Sequence, residues 1–194
     1  MQIFATTPRF ILREILPTDL EAMFELDSEP DVHKYLGNTP VKSIEESEKI
    51  IQMVRQQYVD NGIGRWAIED KETKEFVGWV GLKLLKYEVN KLTNIHDIGY
   101  RLIKKHWGKG IASETAAVAL KYAFENLQLN EIYASAHVEN QASNKILTKI
   151  GLKLIDTFLY DGLNCNWYKM DKKDYENLQK PKFNAQKKVI CRGR

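Results

Sequence analysis

The chain has 194 residues, 43% of them hydrophobic, and a formal net charge of +3. That length suits one domain, or a domain with a short tail, and allows a real core. The charge is too small to argue for nucleic acid by itself, and the apolar run from Phe76 to Leu82 ends at Lys83, too short to span a bilayer. The two cysteines, Cys165 and Cys191, show neither metal spacing nor a disulfide framework, which fits a reducing compartment. The start Met1-Gln2-Ile3-Phe4-Ala5 lacks the basic flank and apolar core of a signal peptide. A soluble cytoplasmic protein is the expectation.

In chain order, Phe10 to Ile15 reads as a first strand. Pro17-Thr18-Asp19-Leu20-Glu21 predicts a helix start, with Thr18 as cap and Glu21 completing a capping box. Ser28 to Pro40 reads as a loop or short helix that buries Val32, Tyr35 and Leu36. Ser43-Ile44-Glu45-Glu46 is a second capping box. Its helix puts Ser47, Ile50, Ile51, Val54 and Tyr58 on one face and ends near Asn61-Gly62. Arg65 to Glu69, Phe76 to Leu85 and Asn94 to Ile103 predict an antiparallel meander. A helix from Ala112 to Leu127 and a strand from Ile132 to Val138 follow, making a βαβ unit with adjacent parallel strands. A helix after Asn140 ends at Gly151. Leu152 to Tyr160 and Cys165 to Met170 form a last hairpin around Asp161-Gly162. Tyr175 and Leu178 anchor a short final helix. The expected organisation is one domain over residues 1–180 and a loose basic tail over 181–194.

The chain is organised around the joint His106-Trp107-Gly108-Lys109-Gly110-Ile111-Ala112, between a buried strand and an alanine-faced helix. Glycine permits positive φ, or close approach by a ligand. A helix N-terminus offers unpaired N–H groups and the positive end of a dipole. Together they suit a phosphate or pyrophosphate, and Lys104, Lys105 and Lys109 add positive charge. Two common phosphate motifs are excluded. Gly108-Lys109 is followed by Gly110 rather than Ser or Thr, and Ser113 stands where a dinucleotide loop needs a third glycine.

A second stretch, Asn140-Gln141-Ala142-Ser143-Asn144 through Lys149-Ile150-Gly151-Leu152, follows the next strand. With Trp107-Gly108-Lys109-Gly110 before it, the chain resembles the GNAT acyl-CoA-dependent N-acetyltransferases, most closely the RimJ/RimL-type branch. Asn140-x-x-Ser143, Lys149-Ile150-Gly151-Leu152, Ile98-Gly99-Tyr100 and Ala112-Ser113-Glu114 carry the likeness, which covers roughly Arg9 to Met170. The resemblance implies an α/β fold of α+β type: a central mixed, mostly antiparallel twisted sheet flanked by helices. It implies acetyl-CoA as co-substrate and an amine as acceptor. Three positions depart from the family pattern. Lys105 stands where Arg or Gln is frequent, Leu147 where many members carry a tyrosine acid, and Leu152 where Phe is usual.

The implied cofactor residues are Leu102, Ile103, Lys105, His106, Trp107, Gly108, Lys109, Gly110, Ile111, Ala112, Asn140 and Asn144. Pantetheine would run along the strand ending at Leu102 and Ile103, where diverging strands free backbone donors. An N–H near Leu102 would polarise the thioester carbonyl. Since Leu147 cannot donate a proton, Ser143 is the expected acid, and a first-turn serine helping to cap is its bland alternative. Asp97 is the expected base, and a solvated strand carboxylate is its bland alternative. His96 has a better matched pKa but lies on the opposite face by alternation. His137 reads as structural. Trp66, Trp79 and Tyr100 read first as core aromatics, with a wall for the acceptor as the alternative.

The acceptor expected is a protein or peptide N-terminal α-amine, whose pKa near ~7.7–8.0 needs little help. A small amine (polyamine, aminoglycoside or amino acid) stays open, because Asp27-Ser28-Glu29-Pro30-Asp31 is acidic. The reading from another class is a non-catalytic CoA-binding module acting on ribosome or RNA through its basic tail. That tail has only Phe183 for stacking, which argues against nucleic acid.

Overall fold

The computed structural model describes residues 1–180. The expected basic tail over 181–194 lies outside the described residues. One sheet of eight strands runs through them: β1 (Ile3–Thr6), β2 (Phe10–Glu14), β3 (Arg65–Asp70), β4 (Phe76–Leu85), β5 (Ile95–Leu102), β6 (Glu131–His137), β7 (Lys153–Tyr160) and β8 (Leu163–Asp171). The spatial order is β1-β2-β3-β4-β5-β6-β8-β7. Every pairing is antiparallel except β5 with β6. The helices are α1 (Leu20–Ser28), α2 (Pro30–His33), α3 (Ile44–Asn61), α4 (Ile111–Lys121), α5 (Gln141–Lys149) and α6 (Lys172–Gln179). The mixed, mostly antiparallel sheet flanked by helices is the fold expected.

Two layers cover the sheet. Alternation along β5 sends Ile98 and Leu102 into a cluster with Ala112, Ala116, Ala119 and Leu120 of α4. The other face packs Ala67, Phe76 and Ile103 against Met23 and Leu26 of α1 and Ile51 and Val54 of α3. The Tyr58 hydroxyl accepts from Ile15 N at 3.1 Å and donates to the Arg65 carbonyl, tying α3 to the sheet.

Several local expectations are corrected. β1 precedes the predicted first strand. It is a four-residue edge strand, half exposed, and so carries no apolar run for pattern reading to find. It is anchored by Phe4, which stacks on Trp66 with centroids 4.8 Å apart. Helix α1 is opened by Asp19, not Thr18. The Asp19 carboxylate takes the Leu16 N–H at 2.8 Å while the Arg13 guanidinium holds both its oxygens. A buried carboxylate already fixed by arginine is a better-placed acceptor than a free hydroxyl. At α3 the Glu46 carboxylate reaches the Lys42 N–H, at 2.9 Å, and Ser43 makes no side-chain cap. Leu36 is exposed and Tyr35 half-buried, whereas Val32 is buried as expected. In the final hairpin the second strand, β8, lies beside β6, and β7 takes the outer edge.

Candidate active site

The site begins at a defect in the sheet. β6 pairs with β8 along its whole length, but β5 and β6 are bridged only at Asp97 and Tyr133. Beyond that bridge the two parallel strands part, leaving an open wedge at their carboxyl ends. In α/β sheets such crevices are where ligands settle. The Ile103 N–H donates to Val77 of β4 at 3.1 Å. Alternation then turns the N–H groups of Tyr100 and Leu102, past the Asp97–Tyr133 bridge, toward β6 and into the wedge. The Leu102 carbonyl, on the same side, accepts the Trp107 indole N–H at 2.8 Å.

Past the wedge the chain makes a tight turn. His106 N donates to Ile103 at 2.9 Å and Trp107 N to Lys104 at 3.1 Å, so the turn itself uses those two donors. The free donors start at Gly108. Among the described residues the N–H groups of Gly108, Lys109, Gly110, Ile111, Ala112 and Ser113 have no protein acceptor; the first helical bond is Glu114 N to Gly110 O at 3.1 Å. Gly108 and Gly110 have φ of 74° and 75°. A Cβ on Gly108 would meet nothing within 4 Å, and one on Gly110 only the Arg9 guanidinium at 3.9 Å. Packing therefore does not require these glycines. Positive φ does, because it aims consecutive N–H groups outward at one concavity. The space a Cβ would enter is open, so the residues present fit a pyrophosphate.

Lys104 and Lys105 depart from expectation. Lys104 pairs with Glu29 at 3.4 Å and with Asp31, and Lys105 with Glu25 at 3.5 Å. Their charges face the α1–α2 segment because that segment packs alongside the turn. Lys109 forms no ion pair among the described residues. The His106 imidazole is half-buried, and that desolvation, with Lys109 and Lys105 nearby, holds its pKa below the usual value.

On the far wall stands α5. Asn140 caps it, its Oδ1 accepting from Ser143 N at 3.0 Å. Its Nδ2 donates to no group among the described residues. Asn144, expected to touch the cofactor, has its amide committed to the fold. Nδ2 donates to His137 O and Asn140 O at 3.0 and 2.7 Å, and Oδ1 accepts from Asn166 and Tyr168. That role would have required a free amide. Leu147 is 1% exposed and part of the core, so this position contributes packing and no proton donor.

Ser143 has a partner that pattern reading had assigned to packing. The Tyr100 hydroxyl, on β5, lies 3.0 Å from Ser143 Oγ and donates to the Ser143 carbonyl at 3.1 Å. Burial pushes the Tyr100 pKa up to about 12, so it stays a neutral donor. Trp66 is fully buried core. Trp79 lies between the Arg65 and Arg101 guanidinium groups, each 5.3 Å from its ring.

Asp97 is neither solvated nor free. Its carboxylate is bound by Arg65 Nη2, and Arg65 Nη1 donates to the Gly81 carbonyl at 2.5 Å. Gly99 exists for this contact: a Cβ there would sit 2.9 Å from Arg65 Nη2. Burial raises the Asp97 pKa, and Arg65 works against that rise. Asp97 and Ser143 belong to opposite faces of β5: Asp97 at the bridge to β6, where the wedge starts, and Ser143 against Tyr100 of the other face. The His96 pKa is lowered by burial. His137 accepts from Glu139 N at 3.2 Å and stacks on Tyr35, centroids 5.5 Å apart. Asp27, 1% exposed, is bound by Arg101. The stretch from Asp27 to Tyr35 thus touches both strand ends, Asp27 at Arg101 of β5 and Tyr35 at His137 of β6.

The acetyltransferase (GNAT) domain model matches residues 9–153. The chain belongs to the GNAT acetyltransferase family. Its chemistry is acetyl-CoA-dependent transfer to nitrogen. It is 36% identical over 147 residues to the uncharacterized N-acetyltransferase YoaA of Bacillus subtilis, covering 76% of this chain and 81% of that one. Among solved structures it resembles RimL, a ribosomal L7/L12 α-N-protein acetyltransferase in complex with CoA. The TM-score is 0.74 at 20% identity, covering 88% of this chain and 98% of that one. It also resembles the Vibrio cholerae spermidine N-acetyltransferase in complex with CoA and spermine, with a TM-score of 0.72 at 22% identity, covering 88% and 100%. At these identities the structural likeness speaks for the fold, and the two neighbours act on different acceptors. No helix among the described residues is long and apolar enough to cross a membrane.

Proposed function

We propose that this GNAT enzyme, of RimJ/RimL type and cytoplasmic, transfers acetyl from acetyl-CoA to the α-amine of a protein or peptide. One observation carries the acceptor choice. The carboxylates that left a polyamine open are already paired, Asp27 with Arg101 and Glu29 and Asp31 with Lys104, and the neighbouring Glu25 is paired with Lys105. A polycation needs a carboxylate for each ammonium it brings, and here it would first have to displace the protein's own cations. An α-amine, partly neutral near pH 7–8, asks only for a place to lose its proton. The spermidine acetyltransferase neighbour keeps the small-amine reading as the alternative.

Acetyl-CoA supplies an activated acyl group. The N–H groups of residues 108–113 would hold its pyrophosphate, Asn140 Nδ2 its pantetheine, and the Leu102 N–H the thioester oxygen. Asp97 would take the amine proton from the α1 face, directly or through water. Ser143 would deliver a proton to the leaving sulfur from the α5 face, with Tyr100 holding the hydroxyl in place. Donor and acceptor of protons on opposite faces of β5 keep the two transfers apart.

The test is kcat/KM for peptides with free N-termini against spermidine and an aminoglycoside. Peptides are expected to win. A lead of more than about tenfold for either small amine, ~1.4 kcal/mol in transition-state binding, overturns the assignment.

A further inference from the structure

Arg9 lies in the turn between β1 and β2, one hundred residues from the glycine loop in sequence. Its backbone is fixed: Arg9 N and Phe10 N both donate to Thr7 Oγ1, at 3.2 and 2.9 Å, and Lys71 N donates to Arg9 O at 3.0 Å. Its guanidinium meets the loop. Nε and Nη2 donate to Glu114 Oε2 at 2.9 and 2.7 Å, and Nη2 also donates to the Lys109 carbonyl at 3.1 Å. Glu114 stands in the first turn of α4, directly behind the free N–H groups. A carboxylate there suits the helix dipole but repels an incoming phosphate. Burial acts to raise the Glu114 pKa, but the Thr7 hydroxyl and the Arg9 guanidinium outweigh it, so the carboxylate is ionised near neutrality.

Of the loop's other cations, Lys104 and Lys105 face the α1–α2 acids, and Lys109 forms no ion pair with Glu114, whose partner among the described residues is Arg9. The Lys109 carbonyl also matters. It lies between the two positive-φ glycines and shares a planar trans peptide with the Gly110 N–H, so holding the carbonyl on one side points that N–H to the other.

We propose that Arg9 is a positioning residue of the CoA site: it cancels the Glu114 charge at the α4 N-terminus and fixes the Lys109 carbonyl so that the loop's N–H groups converge on the pyrophosphate. The inference rests on the reading of the glycine loop as the pyrophosphate site. It gives the β1–β2 turn, outside the strand–loop–helix unit, a share in cofactor affinity. A fork of two donors to a carboxylate and one to a carbonyl is geometry that lysine cannot copy.

The experiment is calorimetric binding of CoA, and of pantetheine by displacement, to the full chain. Arg9→Gln is expected to weaken CoA by about tenfold or more and leave pantetheine, which lacks the pyrophosphate, unchanged. Arg9→Lys should lose part of the affinity. Glu114→Gln alone should bind CoA at least as tightly as wild type, and Arg9→Gln/Glu114→Gln should recover most of the loss. Equal weakening of both ligands would make Arg9 merely structural, and an unchanged CoA affinity or no recovery in the double variant overturns the proposal. Were Arg9→Gln unable to fold, Arg9→Lys and Glu114→Gln carry the same comparison. Wild-type protein that binds CoA no tighter than pantetheine would instead sink the glycine-loop reading.

Discussion

The two sides of the wedge are built from different materials. On the side proposed for CoA the available groups are backbone N–H groups, released by two positive-φ glycines and by strands that stop pairing. On the acceptor side they are side-chain charges, and nearly every one is matched: Asp97 with Arg65, Asp27 with Arg101, Glu29 and Asp31 with Lys104. Backbone donors are indifferent to side-chain identity, so a loop of this kind suits one invariant ligand. Paired charges set a threshold instead, because an acceptor must offer more than the partner it displaces. The difference teaches that net acidity of a segment says little about cation binding until its partners are known.

The largest expected effect lies where the two sides meet. Ser143→Ala should lower kcat by ~10²–10⁴-fold with CoA affinity little changed, since the groups proposed to hold the cofactor are Asn140 and the loop. Tyr100→Phe should lower it less, because Ser143 keeps its hydroxyl. If stopped-flow and steady-state rates for Ser143→Ala stay within a few-fold of wild type, the acid is another group or water.

Asp97→Asn tests the acceptor side in two ways at once. It removes the candidate base and leaves the Arg65 charge buried without its partner, a loss that costs about 3–5 kcal/mol in such sites. The double change Asp97→Asn/Arg65→Met should recover stability, read by denaturant unfolding, but not rate. The sign for pH follows from burial. A base must be ionised, and burial holds the Asp97 pKa above the ordinary carboxylate range. Activity should therefore fall off on the acid side at a pH higher than an exposed carboxylate would give. In Asp97→Asn that limb should vanish and high pH should partly restore rate by supplying neutral amine. A profile identical to wild type would falsify the base role.

Gly110→Val addresses the CoA side alone. The protein leaves room for the side chain, so the cost to the fold is the positive φ, ~1–2 kcal/mol, while the branched side chain enters the space in front of the free N–H groups. CoA binding should be lost in a folded protein. Unchanged affinity would remove the loop from the site.

The smallest effect is expected at Lys104, which is half exposed. Lys104→Ala frees Glu29 and Asp31, and kcat/KM for spermidine should rise by a few-fold relative to a peptide, in a salt-sensitive manner. No rise in that ratio would mean that these acids lie away from the acceptor path, and the charge-matching account would lose its support.

How much of this was legible in the sequence depends on how local the cause is. Hydrophobic period, turn glycines and the Gly108–Gly110 and Asn140–Ser143 spacings act within a few residues. They gave the meander, the parallel unit, the cap of α5 and the glycine loop as a place for an anion. The short edge strand β1 was missed because four half-exposed residues carry no pattern. Lys104 and Lys105 were misread as loop charge, and Asp97 was left between base and solvated strand residue, because a charge is defined by its neighbours in space. Tyr100 and Ser143 are 43 residues apart, Arg65 and Asp97 are 32, and Arg9 and Glu114 are 105. Only the sheet brings them together. The sequence by itself determined the backbone of the CoA side, since φ preference and helix ends are written into single residues. Tertiary structure alone decided which charges on the acceptor side are matched, because pairing depends on strand order and pleat, and no local period encodes either.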